Sequence, residues 1–404
     1  MWIVCQIGAR EHYAIPRSLH RAGQLSWLLT DAWVPPGWLL GKAPGAPRLR
    51  DRWHDDLVDA EVLAPTAKML GDELKSKVKK RRGWQAIMAR NHLFQQEGLR
   101  LLEKSGAWDG EAKTVFSYSY AALEIFREAK RRGWTTVLGQ IDPGPRENEL
   151  VEELRKEHPE WSESKDAEPP SEYWEHWREE CTLADRIVVN SAWSRSLLIE
   201  TGVDAGKIEI IPLALEGPME ADVTEKFKIQ NSKFTIENPL RVLFLGQAIV
   251  RKGIHDLVEA ARMMPDGMWQ IDVVGPHGPL PDHLPECLRF HGGVPRSDVA
   301  KWYSDADVFV LPTHSDGFAL TQLEAMAHGV PVIATPACGQ VVIDGVNGWI
   351  VPPGDPEALA DRIRWMLENR DQHPAMSEAA HMRAAEFTLD RVAEALVGES
   401  DEKP

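Results

Sequence analysis

The sequence predicts an α/β protein with two parallel-sheet domains. Short apolar runs alternate with segments of helical periodicity along almost the whole chain, which is the pattern of strand–helix units around a parallel sheet. The chain has 404 residues, and single hydrophobic cores stop growing near roughly 250–300 residues. Its 43% hydrophobic and 27% charged content is that of an ordinary globular chain, which excludes a collagen-like, coiled-coil or largely disordered protein.

The strand candidates divide evenly between the two halves of the chain. In the first half they are Trp2–Ile7, Leu25–Leu29, Thr114–Phe116, Thr135–Leu138, Arg186–Val189 and Ile208–Ile211. In the second half they are Arg241–Leu245, Trp269–Val274, Leu288–His291, Val308–Leu311, Pro331–Ala334 and Gly348–Val351. A polar stretch that ends in Asn-Pro separates the two sets and predicts a linker. The expected units are a first domain, this linker, a second domain and a C-terminal helix that crosses back to the first domain, at residues 1–215, 216–239, 240–385 and 386–404.

Charge and composition exclude several classes of function. With 46 basic and 62 acidic residues the net charge is −16, which argues against a general nucleic-acid binder. The acid-rich stretch 141–180 is interpreted as a solvated helical face. The four cysteines form no C-x-x-C pair and the 14 histidines show no metal spacing, so neither a disulfide framework nor a metal site is predicted. The N-terminus is typical of a buried strand and no apolar run is long enough to span a membrane, so we expect a cytoplasmic protein.

The second half opens with a segment suited to binding phosphate. Gly246 ends the first strand of that half, and Arg251-Lys252-Gly253 precedes a helical pattern over 254–263. Backbone amides at a helix start and two adjacent cations together favour an anionic ligand.

A second constellation follows the strand that ends at Leu311. Asp316 lies in a turn, and Glu324 lies two helical turns further on. A carboxylate in a cleft can accept hydrogen bonds from sugar or ribose hydroxyls. The amides of Phe318, Ala319 and Leu320 come at the start of the helix, where an anion is favoured.

With these residues the chain resembles a family 4 glycosyltransferase of the GT-B architecture, in which two Rossmann-like domains face each other across a cleft. Gly246…Arg251-Lys252-Gly253 resembles that family's donor-phosphate segment, and Asp316…Glu324 resembles its Glu-x7-Glu motif with the first Glu replaced. Further matches are Gly275-Pro276, His291-Gly-Gly-Val294, Asp344-Gly-Val-Asn-Gly-Trp-Ile-Val-Pro-Pro-Gly-Asp355 and Ala184-Asp-Arg-Ile-Val-Val-Asn-Ser191. The resemblance is dense over residues 183–370 and loose over the first 150.

The resemblance implies a retaining, metal-independent hexosyltransferase with no cofactor and a UDP- or GDP-linked sugar as donor. Arg251 and Lys252 would neutralise the departing diphosphate, as a metal ion would otherwise do. Glu324 would hold the ribose, and Asp316 would orient the donor sugar. The remaining donor-binding residues would be Gly246, Gly275, Val294, Gly317, Phe318, Ala319 and Leu320. Asp305-Ala-Asp307 has the form of a metal motif, but it precedes a strand and is interpreted as a helix terminus.

Four residues of the first half are candidates for the acceptor side of the cleft. Gly8 and His12 belong to a segment that resembles the family's glycine loop, which faces the donor diphosphate and the acceptor. Gln140 and Asp142 lie where many relatives carry a His followed by an acid and Pro. Since Gln140 cannot titrate, no histidine is expected to assist the reaction there.

The segment Lys75–Arg82 is strongly basic and leads into an amphipathic stretch. In lipid-glycosylating relatives such a feature docks on anionic membranes, which implies peripheral contact at the inner membrane face; the alternative is a solvated helix. Two other functions stay open: a catalytically weak sugar- or nucleotide-binding subunit, and a nucleotide-sugar epimerase of related architecture. The nucleobase, the sugar, the acceptor and the oligomeric state do not follow from the sequence.

Overall fold

The first half of the chain forms a seven-stranded sheet. The computed structural model describes residues 1–38, 49, 51–161, 168–215, 238–264 and 267–398. The strands of the first sheet are β1 Trp2–Gln6, β2 Leu25–Thr30, β3 Val62–Leu63, β4 Thr114–Tyr118, β5 Thr135–Gly139, β6 Arg186–Val189 and β7 Ile208–Ile210. Their order is β3-β2-β1-β4-β5-β6-β7, and every pairing is parallel.

The second half forms a separate six-stranded sheet. Its strands are β8 Leu240–Leu245, β9 Trp269–Val274, β10 Leu288–Gly292, β11 Val308–Leu311, β12 Val332–Ala334 and β13 Gly348–Ile350. The order is β10-β9-β8-β11-β12-β13, again parallel throughout. Two parallel sheets confirm the predicted fold class.

Helices connect the strands, as parallel pairing requires. In the first half they are α1 Ala14–Arg21, α2 Thr66–Val78, α3 Gly83–Lys104, α4 Leu123–Arg131, α5 Pro145–Glu157, α6 Ser171–Leu183 and α7 Ala192–Glu200. In the second half they are α8 Ile254–Arg262, α9 Arg296–Asp305, α10 Leu320–Ala327, α11 Pro356–Glu368, α12 His373–Ala384 and α13 Leu389–Val397. No helix in the described part of the chain is long and apolar enough to cross a lipid bilayer.

Both sheets are buried on their two faces. Along β8, Val242 and Phe244 pack into one apolar cluster while Leu243 packs into another on the opposite face. Each buried side chain of this size contributes roughly 1.5–3 kcal/mol relative to exposure. This two-sided burial explains why the strands are continuous apolar runs in the sequence.

Two helices cross between the halves. The α5 helix follows β5 of the first sheet, yet Leu154 packs in the apolar cluster of the second sheet. The last helix, α13, returns to the first sheet, where Leu389 and Leu396 pack in one cluster with Leu19 of α1. The predicted domain boundaries stay a prediction; of the predicted linker, residues 216–237 lie outside the described residues, as do residues 399–404.

The strand order places a crevice in each sheet. In the first sheet the chain runs outward in opposite directions from β1 and β4, and in the second from β8 and β11. Ligands of such sheets bind beyond the carboxyl ends of the strands at this switch point. The loops after β1, β4, β8 and β11 are therefore where the functional residues are expected.

Candidate active site

The loop after β8 brings two cations to the carboxyl ends of the strands in the second sheet. Arg251 and Lys252 lie in a short 3-10 turn that ends at Gly253, whose φ is +71°. A side chain at position 253 would collide with the carbonyl of Pro312, so glycine is needed for the turn to approach the loop after β11. The Arg251 Nη1 donates to the backbone oxygen of Ser315 at 2.7 Å.

Lys252 and Asp316 form an ion pair at these strand ends. Both side chains are largely buried, with 16% and 14% exposed. Burial, and after it the neighbouring Arg251 guanidinium, lowers the pKa of Lys252 to about 7. The nearby Glu147 carboxylate opposes this shift, because a negative charge favours the ammonium form. The structure therefore brings together three of the residues predicted for donor chemistry.

The rest of the donor motif follows on the same rim. Ala319, in the left-handed region at φ +65°, is the N-cap of α10, and the Phe318 oxygen accepts from Gly339 N at 3.1 Å. The amides of 318–320 thus lie at the positive end of the helix. Glu324, on α10, accepts a hydrogen bond from the Tyr303 hydroxyl at 2.8 Å.

Gly246, Gly275 and Val294 line the neighbouring strand ends. Gly246 has φ +151° and Gly275 φ +142°. A Cβ on Gly275 would collide with the Gly246 carbonyl, so the loops after β8 and β9 touch through their backbones. Val294 follows β10 and packs at the edge of the apolar cluster that contains Leu243.

The Asp305-Ala-Asp307 motif lies at the other end of the strands, at their amino ends. The Asp307 carboxylate accepts from Arg241 N at 2.8 Å, and Asp305 lies 3.8 Å from the Arg241 guanidinium. Arg241 is the second residue of β8 and Asp307 directly precedes β11, so both acids anchor the amino ends of strands. They are far along the strands from the rim that holds Lys252.

The first sheet contributes the loop after β1. Gly8 has φ +86° and donates its N–H to Asp31 Oδ1 at 2.9 Å. Three successive residues from 11 to 13 have left-handed φ angles, which marks a strained segment. The His12 ring contacts Arg296 of the second half, and burial followed by Arg296 lowers the pKa of His12. His12 therefore reaches across the cleft to a protein group.

Gln140 and Asp142 have different environments. Gln140 is buried; its Oε1 accepts from Trp177 Nε1 at 3.0 Å, and its Nε2 donates to the Asp142 backbone oxygen at 2.9 Å. The Asp142 carboxylate accepts from the Tyr120 hydroxyl at 2.6 Å and from Gly144 N at 2.8 Å. Asp142 lines the groove between the halves, whereas Gln140 supports the loop from behind.

Glu147 joins the two halves at the donor site. Its Oε1 accepts from the Ser315 hydroxyl at 2.6 Å and lies 3.6 Å from Arg251 Nη1. Trp193 Nε1 donates to the same Ser315 oxygen at 2.9 Å. Burial raises the pKa of Glu147, and Arg251 opposes the shift. Glu147, Trp193 and Ser315 were not predicted from the sequence. The one signal in the sequence was the position of Glu147 in the first turn of a helix that follows a strand end.

The acid-rich stretch 141–180 is not uniformly solvated, which corrects its interpretation. Glu147 is mostly buried, and Glu180 is fully buried on α6. The Glu180 carboxylate accepts from the backbone N–H groups of Tyr120, Ala122 and Leu123 at 2.7–3.1 Å. Burial raises the pKa of Glu180 to about 7 although these amides favour the ionised form.

Among the described residues, one cluster could hold a metal ion, although the histidine spacing predicted none. The side chains of His255, Asp256 and His314 offer ligand atoms that lie within 4.8 Å of one another. His314 Nε2 lies 2.6 Å from Asp256 Oδ2, and the His158 ring lies 3.9 Å from that of His255. The cluster is hard to detect in the sequence because His314 lies 58 positions after Asp256.

The two parallel sheets, with these rims at their switch points, define a fold class. Over 98% of both chains, the sucrose-phosphate synthase from Thermosynechococcus elongatus superposes with a TM-score of 0.65 at 18% identity. Anabaena HepE in complex with UDP superposes with a TM-score of 0.62 at 15% identity over the same share. The fold is that of the GT-B glycosyltransferases.

Sequence comparison adds a similarity to one family over the second half of the chain. Residues 239–369 match the model of the glycosyl transferases group 1 family. The D-inositol 3-phosphate glycosyltransferase of Corynebacterium urealyticum is 32% identical over 245 residues, which are 53% of this chain and 56% of that protein. The amylovoran biosynthesis glycosyltransferase AmsK of Erwinia amylovora is 26% identical over 267 residues, 61% and 58% of the two chains. Over residues 239–369 the chain is therefore similar to the group 1 glycosyltransferases, and it spans little more than half the length of these curated relatives.

Proposed function

We propose that the protein is a retaining glycosyltransferase that moves a sugar from a nucleoside diphosphate sugar to a hydroxyl acceptor without a metal ion. The observation that carries the proposal is the convergence of Arg251, Lys252 and Asp316 at the carboxyl ends of β8 and β11. Cations held in a largely buried site stabilise charge that develops during a reaction.

Each residue of the rim has a role in this proposal. As the bond between the sugar and the diphosphate breaks, Arg251 and Lys252 neutralise the departing diphosphate. Lys252 exchanges its contact with Asp316 for the phosphate, which frees the carboxylate to accept from donor hydroxyls. The acceptor oxygen bonds to the same face of the sugar and gives up its proton to an oxygen of the departing diphosphate. Glu324 holds the ribose in competition with the Tyr303 hydroxyl.

We also propose peripheral membrane contact through the basic segment 75–82. The apolar side chains beside its cations face outward: Leu74 is 64% exposed and Val78 is 83% exposed. Lys79 and Lys80 are exposed as well. Exposed apolar and basic side chains on one segment suit an anionic lipid surface.

The donor class is tested by thermal melting with UDP, GDP and ADP in the presence of excess EDTA. A ligand that binds only the folded protein raises its stability, so we expect UDP or GDP to raise the melting temperature. Glu324→Ala should weaken the binding of that nucleotide by about 1–3 kcal/mol, since a ribose hydroxyl loses its partner. Glu378→Ala, an exposed acid on α12, is the matched control and should bind as the unaltered protein does. The absence of any shift with all three nucleotides would contradict the proposal.

A further inference from the structure

A groove of about 410 Å³ lies beside the donor rim. Its lining combines the two halves: Asp142 and Glu147 come from the first half, and Gln247 and Arg251 come from the loop after β8. Because Arg251 lines the groove and also forms part of the proposed diphosphate site, a ligand in the groove would lie next to the donor.

One wall of the groove is aromatic. The rings of Tyr120 and Tyr173 are stacked, with centroids 4.6 Å apart and an angle of 15°. The ring of Trp84 lies 4.8 Å from that of Tyr173, and Trp174 lies 5.1 Å from it. These residues come from α3, from the loop after β4 and from α6, and all four remain partly exposed. An aromatic surface of this kind packs against the C–H face of a ring-shaped ligand.

This wall is held rigidly. Tyr120 has a left-handed φ of +71°, a conformation that costs energy for a residue other than glycine. Its N–H is bonded to the buried Glu180, and its hydroxyl donates to Asp142. Burial and the Asp142 carboxylate raise the pKa of Tyr173, so that hydroxyl stays a neutral hydrogen-bond donor at physiological pH.

The charged residues of the groove are mainly acidic. Its lining contains the acids Asp142, Glu147, Glu152 and Glu168 and the bases Arg155 and Arg251. Four acids against two bases leave a net charge of −2 when all are ionised. Arg155 is already bonded to Glu152 at 2.7 Å, and Arg251 lies near Glu147. A phosphate or carboxylate group on a ligand would therefore meet mostly like charge.

Resting on the proposed function, we infer that this groove binds the acceptor and that the acceptor presents an uncharged or cationic sugar ring there, not a phosphorylated one. The aromatic wall packs against the ring, and Asp142 and the other carboxylates accept from its hydroxyl or ammonium groups. The groove thereby sets acceptor specificity, whereas the second half sets donor specificity.

The test measures binding of three matched probes by saturation-transfer NMR, with the donor site filled by saturating UDP or GDP, whichever raises the melting temperature. The probes are methyl α-glucopyranoside, glucosamine and glucose 6-phosphate. We expect the first two to bind and the phosphate to bind at least about tenfold more weakly. Tyr173→Leu should lower the affinity for the first two probes about three- to tenfold, because the contact with the aromatic ring is lost. Trp38→Leu, at an exposed aromatic residue outside the groove lining, is the matched control and should leave them unchanged.

The outcomes separate this inference from the proposed function. If the nucleotide binds but glucose 6-phosphate binds as well as the neutral probe, the inferred acceptor class is wrong. The groove assignment is wrong if the neutral and cationic probes bind equally well in Tyr173→Leu, or if neither binds the unaltered protein. If no nucleotide binds and no nucleoside diphosphate is released from any donor, the proposed function itself fails.

Discussion

At the scale of single residues, the environment of Lys252 makes a pH dependence predictable. Its pKa is lowered to about 7 in the ligand-free protein, chiefly by burial. A lysine is charged below its pKa, so the affinity for a nucleoside diphosphate should be highest below pH 7. It should fall as the pH rises from 7 to 9, by up to about tenfold per unit where protonation on binding is required.

Isothermal titration of UDP or GDP from pH 6 to 9 checks this prediction. Lys252→Arg keeps a charge at every pH in that range. The pH dependence of nucleotide affinity in this variant therefore reflects only the ionisation of the nucleotide itself. The steeper fall in the unaltered protein should therefore disappear in the variant. Parallel curves for the two proteins would show that Lys252 does not titrate at the site.

Gln140 and Asp142 show where prediction from sequence ends at this scale. Because both residues closely follow the end of a strand, both were expected at the cleft. Gln140 is instead buried against Trp177, whose indole N–H needs an acceptor. Trp177 lies 37 positions further along the chain, so only the folded protein reveals that Gln140 has a supporting position.

At the scale of elements, the strands were the most predictable part. All twelve predicted strands are present, and their ends differ by at most two residues. Strands of a parallel sheet covered on both faces are apolar throughout, which makes them visible in a sequence. The missed strand, β3, has only two residues and lies at the edge of its sheet with both side chains partly exposed, so it has no apolar run to detect.

The start of α4 depends on a carboxylate from another helix, and this gives a stability prediction. Glu180 accepts from three backbone N–H groups before and at that helix start. Glu180→Ala leaves them unpaired in a buried site, so we expect the free energy of unfolding to fall by about 3 kcal/mol. Urea denaturation measures the change, and Glu179→Ala, which removes a half-exposed ion pair with Arg127, should cost less than about 1 kcal/mol.

The same carboxyl predicts the direction of a pH effect. Its folded-state pKa is raised from 4.5 to about 7, so its contribution to stability is greatest near and below pH 4.5 and is lost as the pH rises through 7. The difference in stability between the unaltered protein and Glu180→Ala should therefore be larger at pH 5.5 than at pH 8. A difference that grows with pH would contradict the buried position of Glu180.

The basic segment at the end of α2 gives a second prediction at this scale. If it docks on anionic lipid, each cation near the surface contributes about 1 kcal/mol. Reversing two charges, in Lys79→Glu/Lys80→Glu, should reduce co-sedimentation with vesicles of phosphatidylcholine and phosphatidylglycerol at least about tenfold. Lys156→Glu/Lys301→Glu, at exposed lysines on other helices, changes the net charge equally and should bind as before. Equal loss in both variants would indicate a general charge effect.

At the scale of the whole molecule, the second half was predictable because its motifs are contiguous in sequence. Arg251, Lys252 and Asp316 lie on two loops of one sheet, and the resemblance placed them together. The contacts between the halves were not predictable in this way. Glu147 and Ser315 are 168 positions apart, and no local pattern indicates that they meet. The acceptor groove depends on the same arrangement, since both halves line it.

In the proposed function, Arg251 and its neighbours replace a metal ion at the diphosphate of a nucleotide sugar. The most direct measurement is the initial rate of nucleoside diphosphate release from UDP-glucose and GDP-mannose, with methyl α-glucopyranoside present and EDTA in excess. We predict that release persists in EDTA and that Arg251→Ala lowers it about 10²–10³-fold, with Arg251→Lys intermediate and all three proteins folded by circular dichroism. Release that is lost in EDTA and restored by magnesium or manganese, or that is undiminished in Arg251→Ala, would contradict the account.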